Sequence, residues 1–351
     1  MTLSVRSETL VLSLRDALVI ARSSHGSGQT STTVVIELTS DALPGLVGVG
    51  EGYPDRFYGE TPATVEVVLP LLIEAVDALG DLEPSAAWLE RAGEAIASAI
   101  RWNGGAKCAL DVALHDLVGK ALEQPVYRLL GLSPEIPPTD FTLGIDAPGI
   151  VAERARRAGR FPALKIKLGG PSDVATLEAV RAVYDGPIRI DANTGWEPDA
   201  AARLIPELER LGVELIEQPF PAHRLDQLRW LQERSPLPIV ADESAVTIED
   251  LDGLRGVVDG VNVKLAKCGG PGPAHRMLGR ARELGFRTFL GCMEETSVGI
   301  AASAAVASLA DWVDLDGNLL LAEDPFEGLE LDDACRWRLP DAPGLGLFRT
   351  A

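Results

Sequence analysis

Five ionisable side chains recur at nearly equal steps through the second half of this 351-residue chain: Lys167, Asp191, Glu217, Asp242 and Lys264, separated by 24, 26, 25 and 22 residues. Each closes a short apolar run, and the interval is that of one strand, loop and helix. Strands are expected at 141–145, 163–167, 188–191, 213–217, 239–242, 261–264, 288–291 and 312–316. Amphipathic helices fall between them; Ala201, Leu204, Ile205, Leu208 and Leu211, for example, make one apolar stripe. In a closed barrel, strand ends of this kind converge on one face, where barrel enzymes carry their chemistry. A doubly wound open sheet also alternates strand and helix, but it would spread the five side chains along a line. The spacing therefore predicts an α/β protein built on a (β/α)8-type barrel.

The N-terminal third reads differently. Residues 33–38 are β-branched and strand-like, 63–79 have helical apolar spacing, and 106–122 form a strong helical pattern stopped by Gln124-Pro125. An α+β unit over 1–125 is expected, then the barrel over 126–325, with the residues after about Pro325 returning to the first unit. The formal charge of −20, from 32 basic and 52 acidic residues, argues against a nucleic acid partner, which needs a basic footprint. Cys108, Cys268, Cys292 and Cys335 form no CxxC pair, so neither a zinc site nor a disulfide framework is expected and a cytoplasmic protein fits best. No basic stretch followed by an apolar core opens the sequence, and no apolar run reaches membrane-spanning length.

Asp191, Glu217 and Asp242 end three successive predicted strands. Hard oxygen donors arriving from three directions suit Mg²⁺, which takes octahedral oxygen coordination and keeps positions for water or substrate. Singly, each acid could pair with a barrel cation or cap a helix; crowded together without a cation they would repel one another. Lys165 and Lys167 lie two apart on one strand and so point the same way, into the barrel. Beside an anionic metal site each gains an opposite charge, and the repulsion between them is expected to lower the proton affinity of one, as a base near neutral pH requires. Lys264 approaches from the far side of the ring, its structural alternative being a salt bridge to Asp242 or Asp314. Together these parts describe removal of the proton next to a carboxylate. One lysine takes the proton, the other returns it, and the metal neutralises the enediolate that forms.

With Lys-x-Lys at 165 and 167, the three spaced acids, and the run Val261-Asn262-Val263-Lys264-Leu265-Ala266-Lys267-Cys268-Gly269-Gly270, the chain resembles the muconate-lactonizing subgroup of the enolase superfamily over almost its whole length. Sites of that superfamily combine a Lys or His base with Mg²⁺. The resemblance implies a modified barrel of the (β/α)7β kind, with an α+β capping domain whose loops close over its mouth. It implies Lys167 and Lys264 as the acid/base pair, Lys165 as helper to Lys167, and Asp191, Glu217 and Asp242 as Mg²⁺ ligands. Within the subgroup the chain looks most like the dipeptide epimerases. Asp314-Leu315-Asp316 is similar to their Asp-x-Asp motif, which implies that these two acids hold the α-ammonium of a dipeptide. The segment Val19-Ile20-Ala21-Arg22-Ser23-Ser24 and the loop 50–61 resemble the L-Ala-D/L-Glu epimerases, which implies that Arg22 reaches the glutamate side chain. Peptidoglycan peptide recycling is implied in the same way, and homo-oligomerisation is left open.

Two features bear on the substrate. Strand seven continues as Gly291-Cys292-Met293-Glu294-Glu295, so Met293 and Glu294 are candidates for substrate contact, and the similar enzymes usually have an apolar residue at the position of Glu294. A pocket-facing Glu294 would disfavour a glutamate side chain and favour a cationic one. The first loop, which includes His25 and Gly26, leaves the reach of Arg22 open. N-acylamino acid racemases, o-succinylbenzoate synthases and muconate cycloisomerases would share the metal and lysines, but their substrates carry no free amine for Asp314 and Asp316. A sugar-acid dehydratase would need a histidine near a late strand end, and none of His25, His115, His223 and His275 sits at a predicted one. A Schiff-base aldolase would use a barrel lysine as nucleophile without needing three acids.

Overall fold

The computed structural model describes residues 1–22 and 28–350, so His25 and Gly26 lie outside the described residues. Three antiparallel strands begin the chain, β1 (Leu3–Ser13), β2 (Thr30–Ser40) and β3 (Gly48–Gly52). Helices α1 (Pro62–Asp77), α2 (Ala86–Ala99) and α3 (Gly104–Ala121) close one core with them, around Ile36, Leu72, Trp88 and Leu110. A capping box starts α1: the Thr61 hydroxyl accepts from the Thr64 N–H, the Thr64 hydroxyl accepts from the Thr61 N–H, and Pro62 sets the first helical φ.

Alternation along β3 serves two neighbours. Gly48, Gly50 and Gly52 face α3, where an added Cβ would stand 2.2, 2.0 and 1.9 Å from the carbonyl oxygens of Ala113, Ala109 and Gly105. With no side chains there, the helix lies directly on the strand. Glu51 points the opposite way, into the barrel. Its carboxylate accepts from the Thr296 N–H at 3.0 Å, the Thr296 hydroxyl at 2.6 Å and the Gly299 N–H at 2.9 Å.

The rest of the chain forms one parallel sheet in sequence order: β4 (Phe141–Leu143), β5 (Leu164–Lys167), β6 (Ile188–Asp191), β7 (Val213–Glu217), β8 (Ile239–Ala241), β9 (Gly260–Val263), β10 (Arg287–Gly291) and β11 (Trp312–Asp314). A parallel bridge between Thr139 and Val313, with Asp140 N–H donating to the Val313 carbonyl at 3.0 Å, joins its two ends into a ring. The fold is thus the barrel and not the doubly wound sheet. After β11 the chain enters a short 3-10 turn, Gly317–Leu320, where a barrel helix would otherwise stand, which makes the (β/α)7β form.

Along β5, Leu164 and Ile166 pack outward into the main core while Lys165 and Lys167 point inward. Leu215, Val240, Phe289 and Trp312 fill the barrel floor. The Arg189 guanidinium lies 5.6 Å from the Phe289 ring centre and pairs with Asp140 and Glu214. The polar site lies above this plug. Near the C-terminus, Leu345 N–H donates to Asp116 and Arg349 pairs with Glu8, so the tail lies against the first unit. Among the described residues, no helix is long and apolar enough to cross a membrane.

Candidate active site

Strand register brings the predicted acids together. Lys167 is opposite Asp191 across β5 and β6, and Asp191 is opposite Glu217 across β6 and β7; Asp242 and Lys264 each fall one residue beyond β8 and β9. Asp191, Glu217 and Asp242 offer oxygens that all lie within 4.8 Å of one another, and all three are buried. Carboxylates this close and this dry oppose each other's ionisation. Burial first, then the charges of Asp191 and Asp242, push Glu217 up to about 7. Its Oε2 is buried without a well-aligned hydrogen-bond donor, although Lys165 Nζ stands 2.7 Å away. Three hard oxygens with one poorly satisfied make a donor set that fits a divalent cation.

The lysines lean on this triad from different directions. Lys167 Nζ is 2.6 Å from Asp191, Lys264 Nζ is 2.9 Å from Asp242, and Lys165 Nζ is 2.8 Å from Asp314 as well as facing Glu217. The ion pair foreseen as the structural alternative for Lys264 is therefore present, yet the same side chain lines the cavity. The expected lowering of proton affinity does not occur at Lys165. Burial works against its charge, but Asp314, Glu217 and Asp191 outweigh burial and hold the pKa well above its ordinary value. Lys264 is raised in the same way, Asp242 being the main counterweight to burial.

Several residues escaped the sequence reading because each looks ordinary beside the ionisable strand ends. Lys267 is wholly buried, with Nζ 2.5 Å from Asp242 Oδ1 and donating also to the carbonyls of Asp242, Ala245 and Asn262. Asn262 Nδ2 donates to Glu217 Oε1 at 2.7 Å, and the Asn193 N–H donates to Asp191 Oδ1 at 2.8 Å. Gln218 takes φ of +34° and uses one amide oxygen to accept from the N–H groups of Asp242 and Ser244. These groups orient the acids and leave little freedom for them to turn. The one available signal is position, since all four stand within three residues of a predicted ligand or lysine.

A cavity of 690 Å³ opens over the site and is lined from both units. Lys165, Lys167, Lys264, Asp314 and Asp316 form its barrel side. Thr142 gathers the two late acids: its hydroxyl donates to Asp314 at 3.1 Å and its N–H to Asp316 at 2.6 Å. Burial, then Asp314, push Asp316 up to about 8. Met293 and Glu294 reach the cavity from the segment after β10, and Glu294 Oε2 accepts from the Tyr53 hydroxyl at 2.7 Å. Arg22 also lines it, but its charge is already faced by Glu243 at 3.5 Å and Asp55 at 3.6 Å, with the guanidinium 4.4 Å from the Phe57 ring centre. Every residue singled out for the site thus borders one space or the triad beneath it.

The chain as a whole is similar to known proteins. Residues 150–348 match the enolase C-terminal domain-like family model, and residues 8–131 match the mandelate racemase / muconate lactonizing enzyme N-terminal domain. The chain is 39% identical over 342 residues to the L-Ala-D/L-Glu epimerase of Bacteroides thetaiotaomicron, covering 96% of this chain and 86% of that one. It is 37% identical over 329 residues to the L-Ala-D/L-amino acid epimerase of Pedosphaera parvula, covering 91% of each. Its structure superposes with a TM-score of 0.89, at 32% identity and 99% coverage of both chains, on the dipeptide epimerase from Enterococcus faecalis complexed with Mg and the dipeptide L-Leu-L-Tyr. The chain belongs to the enolase superfamily, within its mandelate racemase and muconate lactonizing enzyme family.

Proposed function

We propose that this protein is a dipeptide epimerase, an isomerase that inverts the α-carbon of the second residue of a dipeptide such as L-Ala-L-Glu. The observation that carries the reading is the placement of Lys167 and Lys264 on either side of one acidic triad, in a cavity that also holds Asp314 and Asp316. Asp191, Glu217 and Asp242 would hold Mg²⁺, which supplies positive charge to the substrate carboxylate as its α-proton leaves. Lys167 removes the proton on one face and Lys264 delivers one on the other, and the roles exchange for the opposite epimer. Lys165, bound by both Glu217 and Asp314, links the metal-holding acids to the ammonium-holding pair. Burial and the charge of Asp314 raise the pKa of Asp316, and an ammonium group beside it would favour its carboxylate form.

On this reading residues 1–125 with 326–351 form the capping domain, 126–325 form the catalytic barrel, and a small dipeptide is the partner. The four free cysteines support a cytoplasmic setting. The test is exchange of the α-proton in D₂O, with Mg²⁺ and a dipeptide library, read by mass spectrometry. Deuterium is expected at the second residue only. A library in which no dipeptide gains mass sinks the proposal.

A further inference from the structure

Most charges around the cavity are already answered. Lys165, Lys167 and Lys264 face acids, and Arg22 faces Glu243 and Asp55. Two cavity carboxylates have no Lys or Arg within 4.0 Å among the described residues, Asp316 and Glu294. Asp316 belongs to the pair assigned to the substrate α-ammonium. Glu294 has a neutral donor instead: the Tyr53 hydroxyl, itself 3.1 Å from the Ser31 hydroxyl, which also lies 3.3 Å from the Glu294 carbonyl. A partly buried carboxylate held in place by neutral groups disfavours an anion and favours a cation beside it.

Its position says which part of the substrate it meets. The segment Cys292–Glu295 packs against Gly317, just after Asp316, where an added Cβ would stand 2.1 Å from the Met293 carbonyl oxygen and 3.3 Å from Cys292 Sγ. Glu294 is therefore carried on the Asp314–Asp316 side of the cavity. Arg22 is on the other side: its neighbour Ala21 rests on Gly169 and Gly195, which follow β5 and β6. Glu294 and Arg22 do not compete for one side chain. On the epimerase reading the α-ammonium sets the first residue of the dipeptide beside Asp316, on the side of the cavity that carries Glu294.

We propose that Glu294 makes the enzyme select dipeptides whose first residue has a positively charged side chain, lysine or arginine. This deepens the epimerase reading and rests on it. The experiment compares α-deuterium exchange, with Mg²⁺, for L-Lys-L-Ala, L-norleucyl-L-Ala, L-Glu-L-Ala and L-Ala-L-Lys. L-Lys-L-Ala should exceed its uncharged analogue about tenfold or more in kcat/KM, mainly through KM, with L-Glu-L-Ala slowest. In Glu294→Gln the ratio of the first two should shrink to about twofold. The wild-type ratio suffices as a test even if that variant folds poorly. Equal or better turnover of the norleucyl dipeptide, or a preference for L-Ala-L-Lys over L-Lys-L-Ala, overturns the inference and leaves the epimerase reading intact. Absence of exchange from these and every other dipeptide overturns both.

Discussion

The floor and the rim of the cavity are built on different principles. On the floor, charges project from the ends of neighbouring strands in one ring and meet opposite charges closely, at 2.6 Å for Lys167 with Asp191, 2.7 Å for Lys165 with Glu217 and 2.9 Å for Lys264 with Asp242. On the rim, Arg22, Tyr53 and Phe57 come from the first unit and Glu294 from a segment beyond β10, the ion pairs of Arg22 are 3.5 and 3.6 Å long, and Glu294 has a neutral partner. On the proposed reading, chemistry is tied to barrel geometry, whereas selectivity sits where residues can change without disturbing the ring.

That division can be broken most directly at the lysines. Replacing either Lys167 or Lys264 with Ala should reduce epimerisation on the order of 10³-fold, in the range of a lost acid/base group, while circular dichroism remains native. Turnover within tenfold of wild type in either variant would separate the lysines from the chemistry. A smaller change is expected at the border between floor and rim. Asp316→Asn should raise KM for a dipeptide by about 10-fold to 100-fold and alter kcat much less, because a charge-assisted contact to the ammonium is weakened. A kcat defect without a KM change would place Asp316 in the floor's machinery instead.

The smallest expected effect lies behind the rim, at Glu295. Burial and then the charge of Glu51 push this carboxyl up to about 8 from an ordinary 4.5. The folded protein therefore keeps a proton that the unfolded chain loses, and this contribution to stability is complete at low pH and fades as pH rises from about 4.5 to about 8. Glu295→Gln should remove the loss, raising Tm relative to wild type by several °C above pH 8 while changing it less near pH 5. A variant that is penalised more in the alkaline range than in the acid range contradicts the assignment.

The floor was legible before any coordinates because two periodicities coincide in it. Alternation along β5 sends Lys165 and Lys167 inward, and the repeat of one βα unit stacks Asp191, Glu217 and Asp242 on consecutive strands. Where local and global patterns agree in this way, spacing alone foretells which charged groups converge. The supporting groups were not legible. In the sequence Lys267 is only one member of the run 261–270 and Gln218 carries no assignment, and it is the turn after β9 and the positive φ of Gln218 that bring them to Asp242. The rim was the hardest, because its contacts join distant parts of the chain: Tyr53 and Glu294 are 241 residues apart. Glu294 stands out in the sequence as an odd residue at its position, yet only the packing on Gly317 places its segment beside Asp316.

Glu51 constrains how a substrate can get in. A hinge that swung the whole N-terminal unit off the barrel would pull this carboxylate away from three donors at Thr296 and Gly299. Such a lost set of buried bonds costs on the order of several kcal/mol. An opening that leaves these three bonds in place is therefore favoured over a swing of the whole unit.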